Sequence, residues 1–381
     1  MILKNARILG DDFRFFTGDL RIENGVIAAL GALSPAAGEP VTDLEGAYLL
    51  PGLVETHFHG AMGLDSSLGE VRAFETFSAF MATRGITTFV PALISSPDDV
   101  TERYIAAGRE FLRQAPKGAK MGGFYLEGPF ISTQYRGAHD PAVLQLPDLG
   151  KLQHWQELAG GLIRKTVIAP ELPGAEAVIR WASTHGITVE IGHSAATYAQ
   201  AKAGIDWGAR LVTHVCNAMS PLHHREPGMV GAALTDDRVT CELIADFGHV
   251  APPVVQLVCR AKGDDRVNII SDSVSSAGLP DGDYTNPDGR VIRVVDGLAR
   301  LENGTIMGSA STVLDGMRHL LTLGIPLESA VKMASRNPAR TIGLDDRIGS
   351  IAVGKCADLA VLDRDLEVIA TYVDGNCVYS V

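Results

Sequence analysis

The run "VETHFHG", residues 54–60, sets His57 and His59 one residue apart at the end of an apolar stretch. On an extended strand, residues i and i+2 share a face, so both imidazoles point the same way. A lone pair of this kind suits an inert, hydrogen-bonded strand end as well as two ligands of one metal ion. Similar endings recur further on: Glu127 closes "GGFYLE", His193 closes "ITVEIGH", His214 closes "RLVTH" and Asp272 closes "VNIISD". Four histidines and two carboxylates at the ends of apolar runs would be costly to bury without a purpose. Imidazole and carboxylate are ligands for Zn2+ or Fe2+, and a hydrolytic site leaves one position open for water. The pattern predicts one or two divalent ions per chain and metal-assisted hydrolysis.

These groups need a frame that brings distant strand ends together. The middle of the chain alternates strand candidates ("LVETHFH", "GITTFVPAL", "MGGFYLEG", "KTVIAPE", "GITVEIGH", "ARLVTHV", "TCELIAD", "RVNIISD") with amphipathic stretches at 70–84, 97–115, 174–185 and 197–206. Eight such units predict an α/β fold, a (β/α)8 TIM-like barrel. A doubly wound open sheet would also alternate, but no G-x-G-x-x-G follows the first strand. In a barrel, polar residues at the C-terminal strand ends converge on one mouth; in an open sheet they would lie along a line. The chain ends differ from the middle: "ILKNARIL", "GDLRIENGVIAALG", "DLAVLD" and "VIATYVDGNCVYSV" read as short strands, with Asn24-Gly25 and Asp374-Gly375 as hairpin turns. Neither end alone can bury a face. The expectation is a small β-sandwich domain built from residues 1–51 plus 345–381, around a barrel at 52–344.

The 381 residues are 46% hydrophobic and 20% charged, enough for a sizeable core and against disorder. A net charge of −12 argues against sequence-independent nucleic-acid binding. It leaves room for an anionic small substrate, which needs only a local basic pocket. The N-terminus has no signal-peptide core, and no apolar run approaches a membrane span. Five cysteines without a C-x-x-C predict reduced thiols in a cytoplasmic protein.

The segments "PGLVETHFHG", "LEGPF", "RGAHDP", "IGHSAAT", "THVCNAMSPLHHREPG", "ADFGHV", "SDSVSSAG" and "GSASTVLDG" resemble the N-acetylglucosamine-6-phosphate deacetylases of the amidohydrolase superfamily, in order along nearly the whole chain. The resemblance implies a homodimeric, metal-dependent barrel that hydrolyses the acetamide of an amino-sugar phosphate, releasing acetate and the free amine. By position, Glu127, His193 and His214 match the metal set required throughout that family. His57 and His59 match the extra pair of members that hold a second ion, with Glu127 as the bridge. Strand four ends "TVIAPE", without the lysine that bridges in many other amidohydrolases. Asp272 matches the catalytic proton shuttle and His139 the group that polarises the amide carbonyl. Ala138, Asn217, Ala218, Arg225, His249, Ile306, Met307 and Gly308 match the sugar-phosphate contacts.

Some positions depart from the family pattern. "SDS" surrounds the aspartate in place of Thr-Asp-Ala, Arg136 replaces a lysine, Phe247 is bulky for its place, and "GAMGLDSS" is poor in glycine. These leave the metal chemistry intact and open the sugar epimer and acyl group. The competing readings are a deacetylase of N-acetylgalactosamine 6-phosphate, a deaminase or cyclic amidase, and a catalytically dead scaffold. "REPG" and "RGAH" speak against the deaminase or cyclic amidase; the presence of every expected ligand speaks against the scaffold.

Overall fold

In the computed structural model, which describes residues 1–114, 117–286 and 289–381, eight parallel strands build the barrel. They are Leu53–Phe58, Ile86–Ile94, Phe124–Glu127, Ile163–Ile168, Thr188–Ile191, Leu211–Val212, Thr240–Ile244 and Val267–Ile270, each paired with the next. Closure falls at the predicted site: the Asp272 amide donates to the His57 carbonyl (2.9 Å), and the His59 amide to that of Ser273 (2.7 Å). The hydrogen bonds that shut the barrel thus also fix three of the candidate residues.

Helices occupy the four expected stretches, as Val71–Ala82, Asp98–Phe111, Ala175–Thr184 and Tyr198–Trp207; residue 115 of the second stretch lies outside the described residues. Thr197 and Gln200 cap the last of these reciprocally, satisfying backbone amides of its first turn. Helices Leu149–Leu158, Gly228–Thr235, Pro252–Lys262 and Val313–Thr322 complete the alternation. On the flank of the first strand, Phe58 meets Phe77 and Phe89 edge-on at 5.2 and 5.8 Å. Burying such a ring contributes roughly 1.5–3 kcal/mol, and here it pins the strand that carries His57 and His59.

Both chain ends enter one eight-stranded sheet. Tyr48–Pro51 is the seam, parallel to Ile2–Leu9 and antiparallel to Leu359–Leu362, with Leu50 opposite Ala360. Leu3, Ile8, Leu20, Leu49, Leu359 and Val361 share a core of their own, separate from the barrel's. The two hairpins turn as expected: Asn24 and Gly25 have φ of 51° and 79°, Asp374 and Gly375 of 46° and 74°, the left-handed pair of a type I′ turn.

One element was not foreseen. Between the last barrel strand and helix Val313–Thr322, strands Gly282–Thr285, Val291–Val295, Leu298–Leu301 and Ile306–Ser309 form a separate four-stranded sheet. Its alternation was visible in "VIRVV", where Ile292 and Val294 are buried and their neighbours exposed.

Candidate metal centre

Glu127 is the hub. Its Oε1 lies 3.3 Å from His57 Nε2 and 3.2 Å from the Nε2 atoms of both His193 and His214. Its Oε2 lies 3.2 Å from His59 Nε2 and 3.4 Å from His139 Nε2. His193 and His214 face each other at 2.9 Å through the same nitrogens. Asp272 Oδ1 stands 3.2 Å from His59 Nε2 and 3.5 Å from His57 Nε2. Residues from five barrel strand ends therefore meet as predicted, joined by His139 from the loop after the third strand.

Local backbone geometry aims these side chains. His193, His214 and Asp272 have φ of 44°, 26° and 48°, left-handed values uncommon outside glycine, which cluster where surrounding structure overrides the local cost. Each sits where its strand stops and the chain turns outward. Beside Asp272, Ile306–Ser309 runs as a rail: the Ser309 amide donates to the Asp272 carbonyl at 2.9 Å. A Cβ on Gly308 would lie 2.6 Å from that same oxygen, and its φ is 149°, so only glycine fits.

The donor set suits a divalent cation. His57 Nε2, which faces the cluster, is buried without a hydrogen-bond partner. Among the described residues three groups have the spacing of a metal site; the two facing the cluster are His57 with His59 and Asp272, and Glu127 with His139 and His193. His193 donates Nδ1–H to the Tyr135 carbonyl at 2.9 Å, leaving Nε2 with its lone pair toward Glu127. Electrostatics agree. Burial works to lower His59, yet Glu127 and Asp272 raise it to about 10. His57 is raised well above its usual range by Glu242 and Glu127, again against burial. The carboxylates thus demand positive charge at this point, which a divalent cation supplies in place of ring protons. Glu127 and Asp272, despite burial, are held below the ordinary carboxylate range, Glu127 mainly by His57 and His59, Asp272 by the hydrogen bond to His59 and the charge of His57.

His139 differs. Burial, then the neighbouring His193, pushes it down to about 4. The Ser95 amide donates to its Nδ1 at 3.3 Å, with Ser95 Oγ 2.7 Å from the same nitrogen. A neutral ring that accepts at Nδ1 carries its proton on Nε2, where it can donate to a carbonyl oxygen.

A cavity of about 240 Å3 opens over the cluster. His59, Glu127, His139, His193, His214 and Asp272 line it, together with Ala138, Asn217, Ala218, His249 and Ile306-Met307-Gly308. His57 lies fully buried beneath. Arg225 is the exception: it sits in an exposed loop, 2.8 Å from His224 Nε2, and does not line the cavity. Phe247 does not line it either; it stacks on His319 at 4.8 Å. Asp246, unremarked in the sequence, orients His249 through a 2.6 Å contact with Nδ1.

The sequence reading also missed the layer below. Lys165, Glu190 and Glu242, from strands four, five and seven, are fully buried. Lys165 pairs with both carboxylates, and Glu242 Oε2 lies 2.9 Å from His57 Nδ1. Burial works to raise Glu242, but Lys165 and His57 pull it down to about 2; Glu190 is pushed up to about 7 by burial and by Glu242. So strand four does carry a lysine, below its end, where it serves the carboxylates instead of the metal centre. The signal was available: Lys165, Glu190 and Glu242 are charges of complementary sign inside strands that the barrel buries.

The amidohydrolase family model matches residues 48–378. The N-acetylgalactosamine-6-phosphate deacetylase of Escherichia coli O157:H7 is 34% identical over 98% of each chain. The N-acetylglucosamine-6-phosphate deacetylase of Vibrio furnissii is 34% identical over 94% of this chain and 89% of its own. This chain belongs to the N-acetylglucosamine-6-phosphate deacetylases of the amidohydrolase family. Among solved structures, a variant of the Mycobacterium smegmatis N-acetyl-D-glucosamine-6-phosphate deacetylase in complex with N-acetyl-D-glucosamine 6-phosphate superposes with a TM-score of 0.91, at 34% identity, covering 100% of this chain and 99% of that one. This amidohydrolase is a hydrolase whose buried histidines and carboxylates are the donor set for a divalent metal.

Proposed function

We propose that this amidohydrolase removes the N-acetyl group of N-acetylglucosamine 6-phosphate, giving glucosamine 6-phosphate and acetate. The observation that carries the reading is the convergence of Glu127, His193, His214, His57, His59 and Asp272 under one cavity whose lining also includes Ala138, Asn217, Ala218, His249 and Ile306-Met307-Gly308. Glu127, His193 and His214 would hold the first ion. His57 and His59 would hold a second; Glu127 turns Oε1 toward His193, His214 and His57, and Oε2 toward His59. Zn2+ or Fe2+ suits these ligands. When bound, such an ion supplies Lewis acidity and lowers the pKa of water from about 15.7 to about 7.

The chain's own groups then divide the work. Asp272, kept ionised, accepts the proton of the attacking water and returns it to the leaving amine. His139 donates from Nε2 to the amide oxygen as charge develops there. Asn217, Ala218, His249, Ile306, Met307 and Gly308, with Ala138, orient the sugar, so that the amide lies between Asp272 and His139. Arg225 is assigned to the 6-phosphate, from the exposed loop after the sixth strand, with His249 as a second donor. The reading includes a homodimer, residence in the cytoplasm, where five unpaired cysteines stay reduced, and division into a barrel at 52–344 and a β-sandwich of 1–51 plus 345–381.

The test is acetate release from N-acyl amino sugars differing in C4 epimer and acyl group, each with and without the 6-phosphate. The N-acetylglucosamine phosphate should give the highest kcat/KM. Preference for the galacto epimer would move the assignment to the activity named for the Escherichia coli relative.

A further inference from the structure

The buried layer under the metal centre has the wrong composition for mere filling. His57, Glu190 and Glu242 form a third group with the spacing of a metal site, and its cation is already in place. Lys165 Nζ lies 2.6 Å from Glu190 Oε1, pairs with Glu242 Oε1, and donates to the Thr56 carbonyl at 3.1 Å. It also stands 4.3 Å over the Tyr125 ring, whose hydroxyl donates to Glu190 Oε2 at 3.0 Å. Isolated charges are expensive in such a place, and removing one member strands its partner. An apolar layer would have been easier to build. What the charged one adds is a fixed acceptor directly below His57.

Glu242 uses its two oxygens differently. Oε1 takes Lys165, and Oε2 faces His57 Nδ1 at 2.9 Å, with the Thr213 hydroxyl donating to it at 3.2 Å. A carboxylate oxygen held in this way only accepts, so the His57 ring must present Nδ1–H to it. With a cation in place of the second ring proton, the same ring's Nε2 is the lone-pair nitrogen; it lies 3.3 Å from Glu127 Oε1 and 3.5 Å from Asp272 Oδ1, without a hydrogen-bond partner of its own. We propose that Glu242, anchored by Lys165, is the positioning residue of the metal centre, setting the tautomer and ring direction of His57 so that Nε2 faces the ion shared with His59. The inference rests on the metal reading above. Glu190 holds the other side of Lys165 and does not touch His57, so it serves as an internal control.

The experiment is a metal titration of chelator-stripped protein with Zn2+, followed by calorimetry, for wild type, Glu242→Gln and Glu190→Gln. Partners that orient a ligating histidine are typically worth about 10- to 100-fold in metal affinity. Glu242→Gln should therefore weaken the less tightly held equivalent at least tenfold, while Glu190→Gln leaves it near the wild-type value. Equal affinity in Glu242→Gln and wild type overturns the proposal. So does an equal loss in both variants, which would make the layer a structural support only. A second measurement needs no buried substitution: ring 15N chemical shifts of histidine-labelled, Zn2+-loaded wild type should show His57 protonated at Nδ1 and not at Nε2. The opposite tautomer overturns the proposal even if the variants fail to fold. A wild type that takes up no metal yet shows Nδ1–H would count against the metal reading alone.

Discussion

His193 Nε2 and His214 Nε2 lie 2.9 Å apart, and each is 3.2 Å from the same Glu127 oxygen. Two ligands bonded to one tetrahedral ion at about 2.0–2.1 Å would stand roughly 3.3 Å from each other. The fold has therefore gathered three donors from the third, fifth and sixth strands at nearly the spacing of a single ion's shell.

It follows that this trio should keep its ion when the other pair is removed. Elemental analysis of the double variant His57→Ala/His59→Ala is expected to show at least one divalent ion retained and a lower total than wild type. Metal-free protein would place the essential site on the first strand instead.

Asp272 sets the second expectation. Asp272→Asn keeps shape and hydrogen bonding but cannot accept the proton of water. General acid–base help is worth about 10²–10⁴ in rate, so kcat should fall by at least 100-fold with bound metal unchanged. Near-normal kcat would remove the proton-shuttle role.

Gly308 tests the rail beside Asp272. A methyl group there meets the Asp272 carbonyl at 2.6 Å and Val274 Cγ1 at 2.7 Å. Displacing a reacting group by about 1 Å can cost about 10²-fold. Gly308→Ala should lower kcat by about that much while metal content holds, as measured by steady-state kinetics alongside elemental analysis.

Arg225 stands apart from the cavity, which makes its substitution informative. A hydrogen bond to a charged group contributes about 1.5–3 kcal/mol. Arg225→Ala should lower kcat/KM for the phosphorylated sugar at least tenfold and scarcely change the low activity on the unphosphorylated one. An equal loss on both substrates would assign Arg225 to the fold or the dimer.

Away from the site, Asp236 predicts a pH dependence of stability. It is buried and held below the usual carboxylate range by hydrogen bonds from Arg238, with burial opposing and Lys202 assisting. A depressed folded pKa stabilises the protein above the unfolded value, about 3.9, and that contribution is lost as pH falls through the folded pKa. Asp236→Asn should cost about 1–2 kcal/mol at pH 7, seen as a lower Tm. The gap to wild type should narrow as the pH is taken below about 4. A gap independent of pH would mean that packing, not charge, is what Asp236 contributes.

Much of the molecule was readable before folding because its signals are local. Alternation of strand and helix, the two φ-positive hairpin turns, and histidines or carboxylates at strand ends depend on residues close in sequence. Barrel topology then sends every C-terminal strand end to one mouth, so position along each strand was enough to nominate His57, His59, Glu127, His193, His214 and Asp272. Three things needed the tertiary structure. The Lys165–Glu190–Glu242 layer joins three strands whose charges look isolated in the sequence, and only barrel closure stacks them beneath His57. The Nε2-protonated tautomer of His139 depends on Ser95, 44 residues away along the chain, and its neutral state on burial and on His193. Whether Arg225 lines the cavity was decided by the path of its loop, which no periodicity encodes. Local sequence specifies which way a side chain leaves its own strand; which partners it meets there is a property of how the strands are packed.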